Sequence, residues 1–451
     1  MKLLRSAAVL VLLASCTDTN SPVTPPQVSL ATTVAWSAGQ VRLRSQAFMG
    51  MASLPVVTIG NTAVPVTRVN DSTLSATAPI ATGSFPVSVQ LPQKLVSAGS
   101  VTLKGFEGEA VGPFMSGRAA LINPGETNPL VLSYGDSGVV VVDLNANAVV
   151  ASVPDSVASP DCTMSPGPSY RGPTYFVVQG EVGGVCRYSQ VWNLYPTVSM
   201  VDSTPIYVWT WYVMAEVGPK RWFAEYNNHT AFWSCDSQPC TYNTTMDVGA
   251  YAVTMNPSDS RFIFTPSSFP GSTGGPPSVF NVTSLDTAML LPGNGSVITA
   301  QYSGTADTMF VFGQAPSATP NSQAPMHLTA VRSDGVVVRD QPLDSLGYGG
   351  ATQLFNDVAA PASSPYIYAL TGYTVDTTVV PTLVVLDRAT WTVVGVAMAK
   401  GVSANTVKLM WYRGGVWVIP APALHKVFVV AQAFGYNMHQ THSAILTFDT
   451  P

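Results

Sequence analysis

Four of the nine tryptophans, Trp209, Trp211, Trp222 and Trp233, fall within one stretch of twenty-five residues. Tyr212, Phe223, Tyr226, His229 and Phe232 are interleaved with them, Arg221 and Glu225 are polar companions, and Cys235 and Cys240 follow at once. Aromatic rings held on rigid strands beside a stapled loop can stack on sugar rings or anchor a protein partner. Strand alternation puts Trp209 and Trp211 on one face, which suits a stacking surface and packing between sheets alike. Packing is the commoner fate of such residues. If the chain carries a binding site, these six residues (Trp209, Trp211, Trp222, Trp233, Arg221 and Glu225) are its candidates.

Other chemistry-bearing residues point to structure. His439 and His442 are three apart in a region patterned as a β-hairpin, where that spacing faces opposite sides, so a solvated pair is expected and not a metal site. Asp143, Asp286, Asp334, Asp387 and Asp449 each end an apolar run. A calcium reading is available for them, but the repeated position suits a carboxylate that accepts turn amides. No Gly-x-Ser-x-Gly, His-Glu-x-x-His, phosphate loop or EF-hand spacing occurs, so no catalytic residue, metal or cofactor is assigned. Cys162, Cys186, Cys235 and Cys240 form an even set that allows three pairings. The local pairing, Cys162 with Cys186 and Cys235 with Cys240, is the expected one, and a zinc site finds no Cys-x-x-Cys in support.

The elements that would position these residues are strands. Short alternating runs of Val, Ile, Thr and Leu separated by Gly, Pro, Asn and Asp mark an all-β chain, and no stretch of a dozen residues has helical spacing with a usable cap. From residue 107 onward the pattern repeats. Val139-Val-Val-Val-Asp143…Val149-Val150 aligns without gaps on Leu383-Val-Val-Leu-Asp387…Val393-Val394. Weaker copies run from Val279 to Leu291, Leu328 to Val338 and Gln190 to Val201, most with a further strand upstream, such as Leu130–Tyr134 or Tyr366–Leu370. The recurrence, every forty to fifty-five residues, resembles the blades of a YVTN or WD40-like β-propeller. That resemblance implies about seven blades over 107–451, closed into a ring because no blade buries both of its faces alone. Ser443-Ala-Ile-Leu-Thr-Phe-Asp449 ends the chain one strand short of a blade. A segment between Val96 and Ile122, with Ser100–Lys104 as first choice, is expected to supply the missing strand.

Residues 28–106 stand apart. The Ala38-Gly39 turn, the Ile59-Gly60 strand end, the Leu74…Ala78-Pro79 step and Gly83 leading into Val87 and Val89 resemble an IPT/TIG domain. The resemblance implies a small immunoglobulin-like sandwich that serves as a spacer or binding module and carries no catalytic residue.

At the amino terminus, Lys2 and Arg5 precede a short apolar run, and Leu13-Ala14-Ser15-Cys16 follows. The run is too short to span a bilayer and reads as a signal peptide over 1–15. The four residues resemble a bacterial lipobox, which implies cleavage before Cys16 and lipid on its sulfur. Thr17 follows the cysteine, which favours the outer membrane. Residues 16–27 are a lipidated cysteine and a Ser/Thr/Pro tether that cannot bury a core.

Charged residues make up 10% of the chain, and its net charge of −5 includes no basic tract, which excludes a nucleic-acid footprint. The sequence therefore reads as a cell-envelope lipoprotein, all-β, with an Ig-like domain before the propeller. Its partners are the membrane, through the lipid, and a candidate protein or glycan ligand. The reading leans towards a non-enzymatic binding platform. The alternative is an extracytoplasmic propeller hydrolase or lyase acting on a carbohydrate or lactone.

Overall fold

The computed structural model describes residues 27–113, 116–121, 129–135, 138–154, 174–181, 185–193, 199–205, 214–218, 221–226, 229–234, 241–246, 253–255, 261–264, 278–281, 287–290, 297–302, 308–314, 326–332, 336–342, 352–361, 363–375, 378–411, 416–431 and 443–451. The fold is all-β, with one α-helix among the described residues. The chain divides into two compact units. One comprises residues 1–33, 41–76 and 86–101, and the other 34–40, 77–85 and 102–451.

In the amino-terminal part, Gln40–Arg44 alternates as its sequence does, with Val41 and Leu43 inward and Gln40, Arg42 and Arg44 in water. It pairs in a four-stranded sheet with Ser29–Leu30, Thr73–Thr77 and Val66–Asn70. A five-stranded sheet contains Val34–Trp36, Lys94–Lys104, Gly83–Leu91, Val56–Ile59 and Thr62–Val64. Val41, Leu43, Phe48, Val57, Ile59, Leu74, Val87 and Val89 are fully or almost fully buried. Ser100–Lys104 is not the closing strand expected from the sequence. It is the end of Lys94–Lys104, where Val34–Trp36 pairs with it in parallel register.

The carboxy-terminal part holds seven sheets among the described residues, six of them contiguous in sequence. The first is Ser116–Leu121, Leu130–Gly135, Gly138–Asp143 and Ala148–Pro154. The second is Thr174–Glu181, Val185–Asn193 and Ser199–Pro205. The third is Met214–Gly218, Arg221–Tyr226, His229–Ser234 and Thr241–Met246. The fourth is Val253–Met255, Arg261–Phe264, Ser278–Asn281 and Thr287–Leu290. The fifth is Val297–Tyr302, Thr308–Gln314, Met326–Arg332 and Val337–Pro342. The sixth is Thr352–Ala359, Tyr366–Val375, Thr378–Asp387 and Val393–Met398.

The seventh sheet joins the two ends of this part. Val416–Ala421, Lys426–Ala431 and Ala444–Asp449 are contiguous, and Phe106–Val111 pairs antiparallel on the outer edge of Ala444–Asp449. The closing strand falls in the window expected from the sequence, a few residues beyond the first choice.

One irregularity recurs in all seven sheets. In the first, Val141 faces Ala151 while its neighbour Val142 faces Val149, so Val150 bulges. In the sixth, Val385 faces Gly395 and Leu386 faces Val393, so Val394 bulges at the aligned position. The last hairpins of the second to fifth sheets shift register in the same sense. In the seventh, Thr447 faces Gly108 and Phe448 faces Phe106, leaving Glu107 as the extra residue. A strand from the far end of the sequence thus occupies the place, and repeats the bulge, of a fourth strand.

Core composition follows from stacking. Leu383 and Val385 pack with the seventh sheet, against Val427, Val429 and Leu446. Val384 and Leu386, on the opposite face, pack with Phe310, Leu328 and Ala330 of the fifth sheet. In Lys426–Ala431, Val427 and Val429 face the sixth sheet while Phe428 and Val430 meet Val131, Val140 and Val142 of the first. Strands buried on both faces need unbroken apolar runs, which explains Val427-Phe-Val-Val-Ala431 and Leu383-Val-Val-Leu386. The last sheet therefore packs on the first.

The helix Ala404–Trp411 was not anticipated. Its eight residues are too few for a periodic signal, and much of its stabilisation comes from Met410, buried against the sixth and seventh sheets.

Candidate functional site

Of the aromatic cluster, Trp222 and Arg221 lie in Arg221–Tyr226 with Glu225, and Trp233 lies in His229–Ser234. The register sets Trp222 directly opposite Trp233, and Arg221 opposite Ser234. Their side chains, and Trp209 and Trp211 altogether, lie outside the described residues. The same holds for Cys16, Cys162, Cys235, Cys240, His439, His442, Asp286 and Asp334. Cys186 is placed as a backbone position opposite Gly180.

The described carboxylates of the larger unit have visible destinations. Asp143 Oδ1 accepts the amides of Asn145 (2.9 Å) and Ala146 (3.0 Å). Asp387 Oδ1 accepts the amides of Ala389 (3.1 Å) and Thr390 (2.8 Å) and the Thr390 hydroxyl (2.9 Å). The two aligned aspartates thus close the same turn in the same way, as expected of turn acceptors. The amide and hydroxyl of Thr390 hold the Asp387 carboxyl below its ordinary range against a small opposing effect of burial, with the Ala389 amide adding to them.

Asp449 departs from this expectation. Its strand pairs on its outer side with Phe106–Val111, from far earlier in the sequence. Its carboxylate meets Lys104 Nζ at 3.0 Å and Lys426 Nζ at 3.9 Å. Lys426 also meets Glu107 at 2.7 Å. Glu109, two residues on, accepts the Ser403 amide and hydroxyl at 2.8 Å each, and the Thr406 hydroxyl. Ser403 in turn accepts the Thr406 amide at 3.2 Å, capping the helix Ala404–Trp411. Burial raises the Glu109 pKa, but the hydrogen bonds from Thr406 and Ser403 outweigh it and the net shift is downward. Sequence reasoning missed this cluster because its partners are far apart along the chain. Ser403-x-x-Thr406 before an apolar run was the one local signal.

Elsewhere, Asp340 accepts Thr329 Oγ1 at 2.8 Å and faces His327 Nδ1 at 2.9 Å. Buried Asp357 accepts the Val418 amide at 2.6 Å, joining the first strands of the sixth and seventh sheets. Trp36 is buried edge-on to Tyr366 and Tyr368, with ring centroids 6.2 and 6.5 Å apart. Burial pushes the Tyr368 hydroxyl pKa up, though Ser364 Oγ lies 3.0 Å from it. Among the described residues, no group of three or more His, Cys, Asp or Glu could hold a metal ion. Among them too, no helix is long and apolar enough to cross a membrane.

No protein-family model matches the chain, and no curated protein matches it. Among solved structures, it is similar to hydrazine synthase of Kuenenia stuttgartiensis, at 15% identity over 66% of this chain and 82% of that one, with a TM-score of 0.43. A chain of the mitotic checkpoint complex is similar at 8% identity over 77% and 94%, with a TM-score of 0.42. An auxiliary nutrient binding protein from Bacteroides ovatus is similar at 11% identity over 95% and 99%, with a TM-score of 0.31.

Proposed function

We propose that the chain is a lipid-anchored envelope protein of the outer membrane, lipidated at Cys16, whose larger part is a seven-bladed β-propeller acting as a non-enzymatic binding platform. Its amino-terminal sandwich, residues 28–106, is read as an IPT/TIG-like Ig domain. Seven sheets with one repeated bulge, the last packed on the first, support the propeller. The observation that carries the platform reading is the destination of the carboxylates among the described residues. Glu107, Glu109, Asp143, Asp340, Asp357, Asp387 and Asp449 each bind a turn, a neighbouring strand or a cap. An acid engaged in this way is poorly placed to exchange protons with a substrate. The ligand is read as protein or glycan, and the stretch from Trp209 to Trp233 is its proposed seat.

Two experiments test this. Metabolic labelling with an alkyne palmitate in the native host should mark the wild-type chain and not Cys16→Ser, with the label in the outer-membrane fraction. A glycan and envelope-protein array should show ligands whose binding falls at least tenfold in Trp222→Ala or Trp233→Ala, the order of a hot-spot loss. Turnover of a carbohydrate or lactone by the purified chain would replace the platform with an enzyme.

A further inference from the structure

We infer that the amino-terminal sandwich does more than space the anchor from the propeller: one end of it docks on an anionic phospholipid surface. The inference rests on lipidation at Cys16. Gln27, eleven residues after that cysteine, is where the described chain begins, and Gln27 to Ser29 line one open groove with Lys94 to Ser97. The tether therefore delivers the lipid to this end. A tether of eleven residues spans at most about 40 Å when extended, and less as a coil.

The same end gathers exposed apolar side chains. Leu95, beside the hairpin turn at Pro92-Gln93, is 63% exposed. Val56, opposite Gln90 and so next to that hairpin, is 55% exposed. Met49 (55%) and Leu54 (43%) belong to the loop between Phe48 and Val56. That loop is held at the tether end. Ser45 Oγ donates to the Gln27 carbonyl at 2.6 Å, and Arg68 donates to the carbonyls of Phe48 and Met51 at 3.0 Å each. Four large apolar groups on a braced rim need a cover, and water is a poor one.

Charge names the cover. Arg44 lies opposite Ser29, exposed, and Lys94 is exposed beside Leu95. Residues 27–101 contain four basic side chains and one acid, Asp71, whereas residues 102–451 contain 14 basic and 23 acidic ones. Asp71 sits in the turn after Asn70, at this same end, and is outnumbered there by Arg44, Arg68 and Lys94. A basic rim around apolar side chains, next to a lipidated terminus, fits phospholipid headgroups with an anionic fraction. It adds headgroup contacts to the hold of the lipid and orients the anchored domain on the surface.

The test uses the full lipidated protein in vesicles of phosphatidylcholine with phosphatidylglycerol, in vesicles of phosphatidylcholine alone, and in neutral detergent micelles. Flotation reads the anchor, and hydrogen exchange reads the surface. Peptides covering 47–56 and 91–97 should exchange several-fold more slowly on the phosphatidylglycerol vesicles than in micelles. That protection should vanish in Leu95→Glu combined with Val56→Glu, both exposed positions, while flotation persists. Flotation of the wild type with unchanged exchange would overturn docking and leave the anchor standing. Failure to float would overturn the anchor and docking with it.

Discussion

Phe106 lies directly opposite Phe448, their rings 5.4 Å apart, and through this pair the strand that follows Lys94–Lys104 becomes the outer strand of the last sheet. Phe448 is fully buried and Phe106 half-buried. A seam of this kind replaces a covalent continuation with side-chain packing. Its loss frees the outer strand of the seventh sheet.

Phe448→Ala should therefore cost about 3–5 kcal/mol, the usual loss for a large aromatic removed from a core. Phe106→Ala should cost less. Urea unfolding followed by near-UV circular dichroism measures both, and equal, negligible effects would mean that the seam bears no weight.

Trp36 should be nearly as costly to remove. A methyl group on Gly395 would sit 2.3 Å from the Trp36 Cβ, so Gly395→Ala is expected to destabilise by about 1–3 kcal/mol through overpacking. In Trp36→Gly, which removes the Cβ as well as the ring, the obstruction is gone, and Gly395→Ala added to it should cost much less than alone. Simple additivity in such a double-mutant cycle would separate the two residues.

Acid should weaken the fold through Asp387 and Glu109. Both have folded pKa values lowered by hydrogen bonds, so each contributes stability above the ordinary carboxylate range. That contribution is lost as pH falls through the lowered folded values. Melting temperature measured from neutral pH down to the carboxylate range should fall for the wild type. The acid limb should be shallower in Asp387→Asn and in Glu109→Gln; parallel curves would assign the limb to other groups.

The turns offer a cleaner comparison. Asp143→Ala and Asp387→Ala each remove an acceptor of two backbone amides, and each should cost about 1 kcal/mol. Added calcium should not change the melting temperature of the wild type, because Oδ1 of each carboxylate already accepts two turn amides. A rise on adding calcium would restore the cation reading.

The repeat was legible because a strand buried on both faces must be apolar throughout and must stop at a turn. Val139–Asp143 and Leu383–Asp387 carry that signature, and their shared bulge lies within the gap-free alignment. The closing strand was harder to place. Phe106-Glu-Gly-Glu-Ala-Val111 alternates acids with small residues, since Glu107 and Glu109 serve Lys426 and the Ser403 cap and not a core. Ser100–Lys104 has the stronger β pattern, and it serves the preceding sheet instead. Asp449 was misread for the same reason: its carboxylate meets Lys104, 345 residues earlier in the sequence. Contacts closed by topology leave little trace in local pattern.

A cross-link tests the seam most directly. Ala110 lies opposite Ile445. The variant carrying Ala110→Cys and Ile445→Cys, oxidised and digested without reduction, should yield the peptides containing these two positions joined by a disulfide, from protein that remains monomeric. The two peptides recovered separately, with both thiols open to alkylation in the folded protein, would contradict the closure.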